Sequence, residues 1–174
     1  MAETLNTILS LGTIILAGFS IKIIYFIISK KQHFVFDFVK NNFLTLIVLI
    51  SGGASIGSLI YSGIIGYEPC VLCWWQRIGI FGAFVVSATA LVSKKIKTHS
   101  LFSSIQSLSI VGLLFAIYHN FIYYTGNSPI PCGVEVSCVQ HLVSGFGFVS
   151  IPLMSLVVLI TISLLAFIGE RNSK

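Results

Sequence analysis

The sequence predicts an all-α polytopic membrane protein. Of its 174 residues, 56% are hydrophobic and only 9% are charged, and the mean hydropathy of +1.00 is far above that of an ordinary soluble domain. The apolar residues form five continuous stretches, each close to the roughly 20 residues with which a helix crosses the hydrocarbon of a bilayer. Because these stretches do not alternate between apolar and polar residues, they predict helices and not membrane strands.

The predicted spans cover roughly residues 5–29, 43–66, 73–93, 101–124 and 148–169. Little chain remains between them, so residues 1–174 are interpreted as a single integral membrane domain. The first stretch carries Glu3, lacks a basic segment before it and has a long apolar run, which favours an uncleaved span over a signal peptide. In the second span, Gly53 and Gly57 form a small-xxx-small pattern that predicts close helix packing.

Basic residues predict the orientation of the chain. Eight of the ten Lys and Arg residues fall between spans one and two, between spans three and four, or at the C-terminus: Lys30, Lys31, Lys40, Lys94, Lys95, Lys97, Arg171 and Lys174. The positive-inside rule places these residues in the cytoplasm and the N-terminus outside. The net charge of +5 is therefore explained by the orientation of the chain in the membrane, and no nucleic-acid partner is expected. The loops at roughly 67–72 and 125–147 are then extracytoplasmic.

All four cysteines lie in these two outer loops, as Cys70 with Cys73 and Cys132 with Cys138. An oxidising compartment suits them, and a CxxC at a helix start can close a readily reduced disulfide while favouring the thiolate form. Two such pairs on one membrane face suggest electron transfer from one to the other. Inert loop disulfides and a four-cysteine zinc site are the alternatives, although zinc sites usually use two tight CxxC pairs.

Two further residues are candidates for the site. Arg77 lies one helical turn beyond Cys73 on the same face and inside the outer edge of the membrane, where a guanidinium is costly and usually functional. The alternative is an interfacial arginine that reaches the lipid headgroups. His119 is placed near the outer end of the fourth span, where it could donate a hydrogen bond or carry a proton, or serve only in packing.

The segment from Cys70 to Arg77, a CxxC followed by two aromatic residues, a polar residue and an arginine, resembles the DsbB/BdbC family of disulfide bond formation proteins. A second cysteine pair in the next outer loop adds to the resemblance, which covers four spans over roughly residues 43–169. The resemblance implies a four-helix bundle of the DsbB type with one extra N-terminal transmembrane helix.

The resemblance also implies an activity, that of a protein-dithiol:quinone oxidoreductase in a prokaryotic cell membrane. Such a protein reoxidises a thioredoxin-like thiol oxidase of DsbA/BdbD type and passes the electrons to a membrane quinone, either ubiquinone or menaquinone. By position, a Cys70–Cys73 disulfide would face the quinone, and Arg77 and His119 would help to bind it. A Cys132–Cys138 disulfide would accept electrons from the partner, with Cys132 forming the mixed disulfide.

Other functions stay open on the sequence alone. A reductase similar to vitamin K epoxide reductase uses related chemistry in a different cysteine arrangement. A non-catalytic membrane protein with structural disulfides or a four-cysteine metal site is the alternative from another class. No resident metal is expected in the favoured interpretation.

Overall fold

The computed structural model describes residues 2–29, 34–93, 98–126, 138 and 146–172. Over these residues the chain forms five α-helices: α1 (Ala2–Ser29), α2 (Phe34–Gly63), α3 (Val71–Ser93), α4 (Thr98–Thr125) and α5 (Ile151–Asn172). Each helix contains an apolar segment long enough to cross a membrane: Thr4–Ser29, Asn41–Gly63, Val71–Ser93, His99–Thr125 and Ile151–Arg171. The predicted all-α polytopic fold is confirmed.

The largest difference from the predicted spans is the start of α2, which lies at Phe34 instead of residue 43. Smaller differences lie at the end of α2 and the start of α5. α2 ends at Gly63 instead of residue 66, and Gly66 then adopts a φ of 82°, a left-handed conformation that favours glycine and turns the chain out of the helix. α5 begins at Ile151 instead of residue 148. There the N–H of Leu153 donates to Ser150 Oγ at 3.4 Å, so Ser150 caps the helix and sets its first residue.

Four of the helices close into a ring. α2, α3, α4 and α5 each pack against the next helix along the chain, and α2 packs against α5 to complete the ring. α1 lies outside the ring, packed mainly on α5 with a smaller contact to α2. The arrangement is a four-helix bundle with one extra N-terminal helix on the seam between α2 and α5.

Buried apolar residues occupy both ends of the bundle. The larger cluster includes Phe102 and Ile105 near the start of α4, together with Leu165 and Ile168 towards the end of α5. A smaller cluster at the opposite end contains Cys70, Leu72, Ile122 and Cys138. These cysteines are therefore packed into the end of the bundle and do not lie on its surface.

The backbones of α3 and α4 approach each other closely at Gly79. A Cβ atom added at Gly79 would lie 3.0 Å from the Leu108 carbonyl oxygen and 3.1 Å from Gly112 Cα, both backbone atoms of α4. Gly57 of α2 also lies near a neighbouring helix, because a Cβ atom added there would lie 3.6 Å from the side chain of Leu9 in α1. The predicted close packing is wrong at Gly53, where no described atom lies within 4 Å of an added Cβ.

We expect Gly79→Ala to destabilise the bundle by about 1–3 kcal/mol, because a methyl group between two backbones forces the helices apart. Gly53→Ala is the matched control and should change stability by no more than about 0.5 kcal/mol. Thermal unfolding of both variants in detergent micelles checks this. Equal melting temperatures for the two variants would contradict the assignment of Gly79 to a backbone contact.

Candidate functional site

Cys70 and Cys73 lie at the start of α3. The N–H of Trp74 donates to the Cys70 carbonyl oxygen at 3.1 Å, so Cys70 is the residue that caps the helix and Cys73 falls in the first turn. Their Sγ atoms are 3.1 Å apart. A small side-chain rotation would bring them to the disulfide bond length of about 2.05 Å, which suits the predicted Cys70–Cys73 pair.

The helix start favours a thiolate at Cys70. The hydrogen bond with the Cys73 side chain holds the pKa of Cys70 well below its usual range, burial opposes this shift, and His119 and the Cys73 backbone N–H lower the pKa further. Only 5% of Cys70 is exposed, so these contacts act without much solvent screening. Cys70 is thus poised as the ionised member of the reduced pair.

His119 lies between Cys70 and Cys138. Its Nε2 lies 4.0 Å from Cys70 Sγ and 3.2 Å from the Cys138 carbonyl oxygen. The histidine is 3% exposed and lies near the C-terminal end of α4, at the end of the span where the sequence placed it. Its ring is within hydrogen-bond range of both cysteine-bearing segments.

A residue that the sequence analysis overlooked orients this histidine. The amide nitrogen of Gln76 lies 2.9 Å from His119 Nδ1, and the amide oxygen accepts a hydrogen bond from the Ser155 hydroxyl of α5. With Nδ1 as acceptor, the ring proton is on Nε2 and points to the Cys138 carbonyl oxygen. The sequence could have indicated Gln76 through its spacing, because Gln76 follows Cys73 by three residues and therefore lies on the same helix face.

Arg77 lies deeper on α3. Its Nη2 donates to the Ser58 carbonyl oxygen of α2 at 3.0 Å, and its guanidinium carbon lies 5.5 Å from the centre of the Trp74 ring, within cation–π range. A guanidinium has five N–H donors, and the contact with Ser58 uses one of them. The side chain is half-buried and held between α2 and α3, in contrast to the alternative of an arginine directed only to headgroups.

A cavity of about 180 Å³ joins these residues. Its reactive and polar lining includes Cys70, Cys73, Gln76, Arg77, His119 and Cys138. Most of the remaining wall is apolar and includes Ala54, Ile80, Ile151, Met154 and Val158. The loop residues Tyr67, Glu68 and Pro69 also line it. The structure therefore places a dithiol, a histidine and an arginine around one mostly apolar space.

The second cysteine pair is described only in part. Cys138 is 4% exposed and lines the cavity, whereas Cys132 lies outside the described residues. The Cys132–Cys138 disulfide and the role of Cys132 in capturing a partner stay predictions.

The reduced pair and His119 could also bind a metal. One donor atom from each of Cys70, Cys73 and His119 lies within 4.8 Å of the others, a set of soft ligands typical of zinc. Among the described residues this group has two cysteines and a histidine, which differs from the predicted four-cysteine alternative.

The comparisons with known proteins agree with this geometry. The family model described as disulfide bond formation protein DsbB matches residues 40–169. The chain belongs to the DsbB family. No solved structure matches it significantly.

Several curated relatives have related names. The SPbeta prophage-derived disulfide bond formation protein B of Bacillus subtilis is 37% identical over 68% of this chain and 78% of its own length. The probable disulfide formation protein C 1 of Bacillus anthracis is 35% identical over 68% of this chain and 85% of its own. The probable disulfide formation protein of Chlamydia caviae is 31% identical over 79% of this chain and 98% of its own.

Membership of the DsbB family gives the chain a role in disulfide bond formation and an oxidoreductase activity. The resemblance predicted from residues 43–169 is confirmed by a match over nearly the same range. α1 precedes the matched segment.

We expect Cys70 to remain a thiolate in mildly acidic solution. Because its pKa is lowered, the thiolate is lost only as the pH falls through that lowered value. An ordinary thiol with a pKa near 8.5 would lose its thiolate roughly 75-fold between about pH 8 and pH 6. The ultraviolet thiolate absorbance of the reduced protein, minus that of reduced Cys70→Ser, should stay nearly constant over this range. A difference that disappears at pH 6 would show that Cys70 is an ordinary thiol.

Proposed function

We propose that this protein is a membrane protein-dithiol:quinone oxidoreductase that generates disulfides for an extracytoplasmic partner. One observation carries the proposal: Cys70, Cys73, His119 and Arg77 all line a single, mostly apolar cavity at one end of the bundle. A dithiol that opens onto an apolar space within membrane-spanning helices suits an electron acceptor that is itself dissolved in the lipid.

The cavity fits the head group of a quinone. An engineered apolar cavity of about 150 Å³ is known to hold benzene, and the cavity here measures about 180 Å³. Its apolar wall suits the faces of a ring, while the guanidinium of Arg77 offers N–H donors for a carbonyl oxygen. Ubiquinone and menaquinone each have a flat ring for such a wall and carbonyl oxygens for such donors.

The cysteines would carry the electrons in two exchanges before the acceptor. The dithiol of the partner reduces the Cys132–Cys138 disulfide and leaves as a disulfide, and the new dithiol then reduces Cys70–Cys73 by the same exchange. Cys70 and Cys73 then release two electrons and two protons as they join in a disulfide, and a quinone held in the cavity would supply the acceptor for both.

His119 would stabilise the sulfur anion that forms in these steps. Its Nε2–H faces the Cys138 carbonyl oxygen at 3.2 Å and lies 4.0 Å from Cys70 Sγ, so the same N–H can donate a hydrogen bond to the thiolate as it forms. Arg77 would offset the negative charge that develops in the cavity during electron transfer, as a fixed cation in an environment of low dielectric.

The proposal also includes an electron donor and an orientation in the membrane. A thioredoxin-like thiol oxidase of DsbA/BdbD type is the proposed electron donor. The distribution of lysines supports an outward N-terminus and a cytoplasmic C-terminus, with both cysteine pairs on the outer face of a prokaryotic cell membrane.

Turnover with a reduced partner tests the proposal. Reduced thioredoxin-like oxidase is mixed with liposomes that contain the protein, and the loss of thiols is followed with and without decylubiquinone or a menaquinone analogue. We expect many turnovers with quinone and no more than two disulfide equivalents per protein without it, one for each cysteine pair. Sustained thiol loss without quinone would overturn the proposed acceptor.

We expect Cys73→Ser to abolish quinone reduction while the protein stays folded, because the Cys70–Cys73 disulfide can no longer form. Quinone reduction is measured by absorbance and the fold by thermal unfolding. Partner exchange at Cys132 should persist as a mixed disulfide on non-reducing gels. Full quinone reduction by the variant would contradict the proposed electron path.

We expect substitution of Arg77 to raise the apparent KM for quinone. Loss of one charge-assisted hydrogen bond costs about 1.5–3 kcal/mol, or roughly 10- to 150-fold. Lysine keeps the charge but loses the planar array of donors, so Arg77→Lys should be milder than Arg77→His. Arg171→Lys is the matched control, because Arg171 also lies over an aromatic ring, Phe167, at 5.8 Å.

Quinone-titrated turnover and the rate of exchange with the partner are measured separately for each Arg77 variant. The exchange rate should be unchanged. Slower exchange with an unchanged KM would assign Arg77 to the thiol side of the reaction.

A further inference from the structure

The N-terminal helix contributes to the cavity although it precedes the segment that matches the family. The family match begins at residue 40, and α1 ends at Ser29. Leu9 and Thr13 of α1 nevertheless line the same cavity as Cys73 and Arg77. α1 is therefore more than a membrane anchor attached to the bundle.

The burial pattern of α1 shows which face it turns to the protein. Its inward residues recur at three- and four-residue intervals, the spacing of one helix face. Between residues 6 and 20, the inward polar or small residues are Asn6, Ser10, Thr13, Ala17 and Ser20, and the inward large apolar ones are Leu9, Leu16 and Phe19. The exposed face carries large apolar side chains such as Ile8, Leu11 and Ile15. In lipid this distribution directs the polar face to the bundle.

Two hydrogen bonds fix the rotation of α1 about its own axis. The Tyr61 hydroxyl of α2 donates to Asn6 Oδ1 at 2.7 Å, and the hydroxyls of Ser20 and Thr161 of α5 are 2.7 Å apart in a buried contact. The two bonds lie at either end of the segment that contains Leu9 and Thr13. Because hydrocarbon offers no competing partners, this face stays turned towards α2 and α5.

Leu9 approaches the bundle where α2 carries a small residue. A Cβ atom at Gly57 would meet both methyl groups of Leu9 at 3.6 Å, and Ser58, which follows, binds Arg77 through its carbonyl oxygen. Leu9 thus packs against α2 beside the residue that holds the guanidinium, and Leu9 and Arg77 line the same cavity.

We propose that α1 supplies a specificity-determining wall of the quinone site, in which Leu9 and Thr13 limit the size of the ring that enters from the lipid. This inference rests on the proposed function and extends it to a helix outside the family match. A bulkier side chain at Leu9 should exclude a two-ring naphthoquinone more strongly than a one-ring benzoquinone, and a smaller one should do the reverse.

The test compares two quinones that carry the same decyl tail, one a dimethoxybenzoquinone and the other a naphthoquinone. The variants are Leu9→Phe and Leu9→Ala, with Ile8→Phe and Ile8→Ala as matched controls, because Ile8 is 61% exposed on the opposite face. Binding is measured without turnover, through quenching of the fluorescence of Trp74 and Trp75, the two tryptophans of the chain.

We expect Leu9→Phe to raise the ratio of the naphthoquinone Kd to the benzoquinone Kd by about tenfold. Leu9→Ala should lower this ratio by a similar factor. About tenfold is the lower end of the discrimination between two ligands that one methylene group produces in a hydrophobic pocket. The Ile8 variants should keep the wild-type ratio. Because the two Leu9 variants act in opposite directions, misfolding of one cannot imitate the result.

Two results would overturn the inference, and they are distinguishable. If wild-type protein binds both quinones and the ratio is the same in the Leu9 and Ile8 variants, α1 is not a wall of the site, while the proposed function stands. If neither quinone quenches the wild-type fluorescence, the proposed function fails and this inference fails with it.

Discussion

Hydrocarbon provides no hydrogen-bond partners, and this constraint governs where the polar residues of the bundle lie. A polar group left unpaired in an apolar medium costs several kcal/mol, so most polar side chains within the helices contact one another or the backbone. Among the described residues, Ser10, Ser29, Gln106 and Asn120 each keep one buried oxygen without a hydrogen-bond partner. Gln76 links α3 to His119 of α4 and to Ser155 of α5. The candidate site is the place where this requirement concentrates polar groups from three helices.

Pairing of this kind makes the site rigid and leaves its reactive atoms facing an apolar space. Gln76 fixes the ring of His119, and the Ser58 carbonyl oxygen fixes the guanidinium of Arg77. Both side chains are therefore oriented before any ligand arrives, which lowers the reorganisation needed when charge develops in the cavity. The cavity between them is mostly apolar, so the fixed charge of Arg77 acts at low dielectric.

The sequence predicted the features that depend on one segment at a time. Composition determined the five spans, and the spacing of Cys70, Cys73 and Arg77 placed them at the start of one helix, because these properties follow from local periodicity. The partners of these residues could not be predicted in this way. Gln76, Ser58 and Leu9 matter because of which helices are neighbours in the ring, and hydrophobic helices of similar length do not encode that order in their periodicity. The prediction of close helix packing at Gly53 was wrong for the same reason, since a small-residue pattern does not indicate which face of the helix meets a neighbouring helix.

The capping position of Cys70 has an energetic consequence for the reduction potential of the Cys70–Cys73 pair. In the reduced pair, the Cys70 sulfur accepts hydrogen bonds from the side chain and the backbone N–H of Cys73, and both are contacts that an ionised sulfur strengthens. Interactions that stabilise the reduced form raise the reduction potential of a dithiol pair. The first turn of α3 thereby makes the Cys70–Cys73 disulfide a stronger oxidant than a disulfide whose cysteines lack such a helix start.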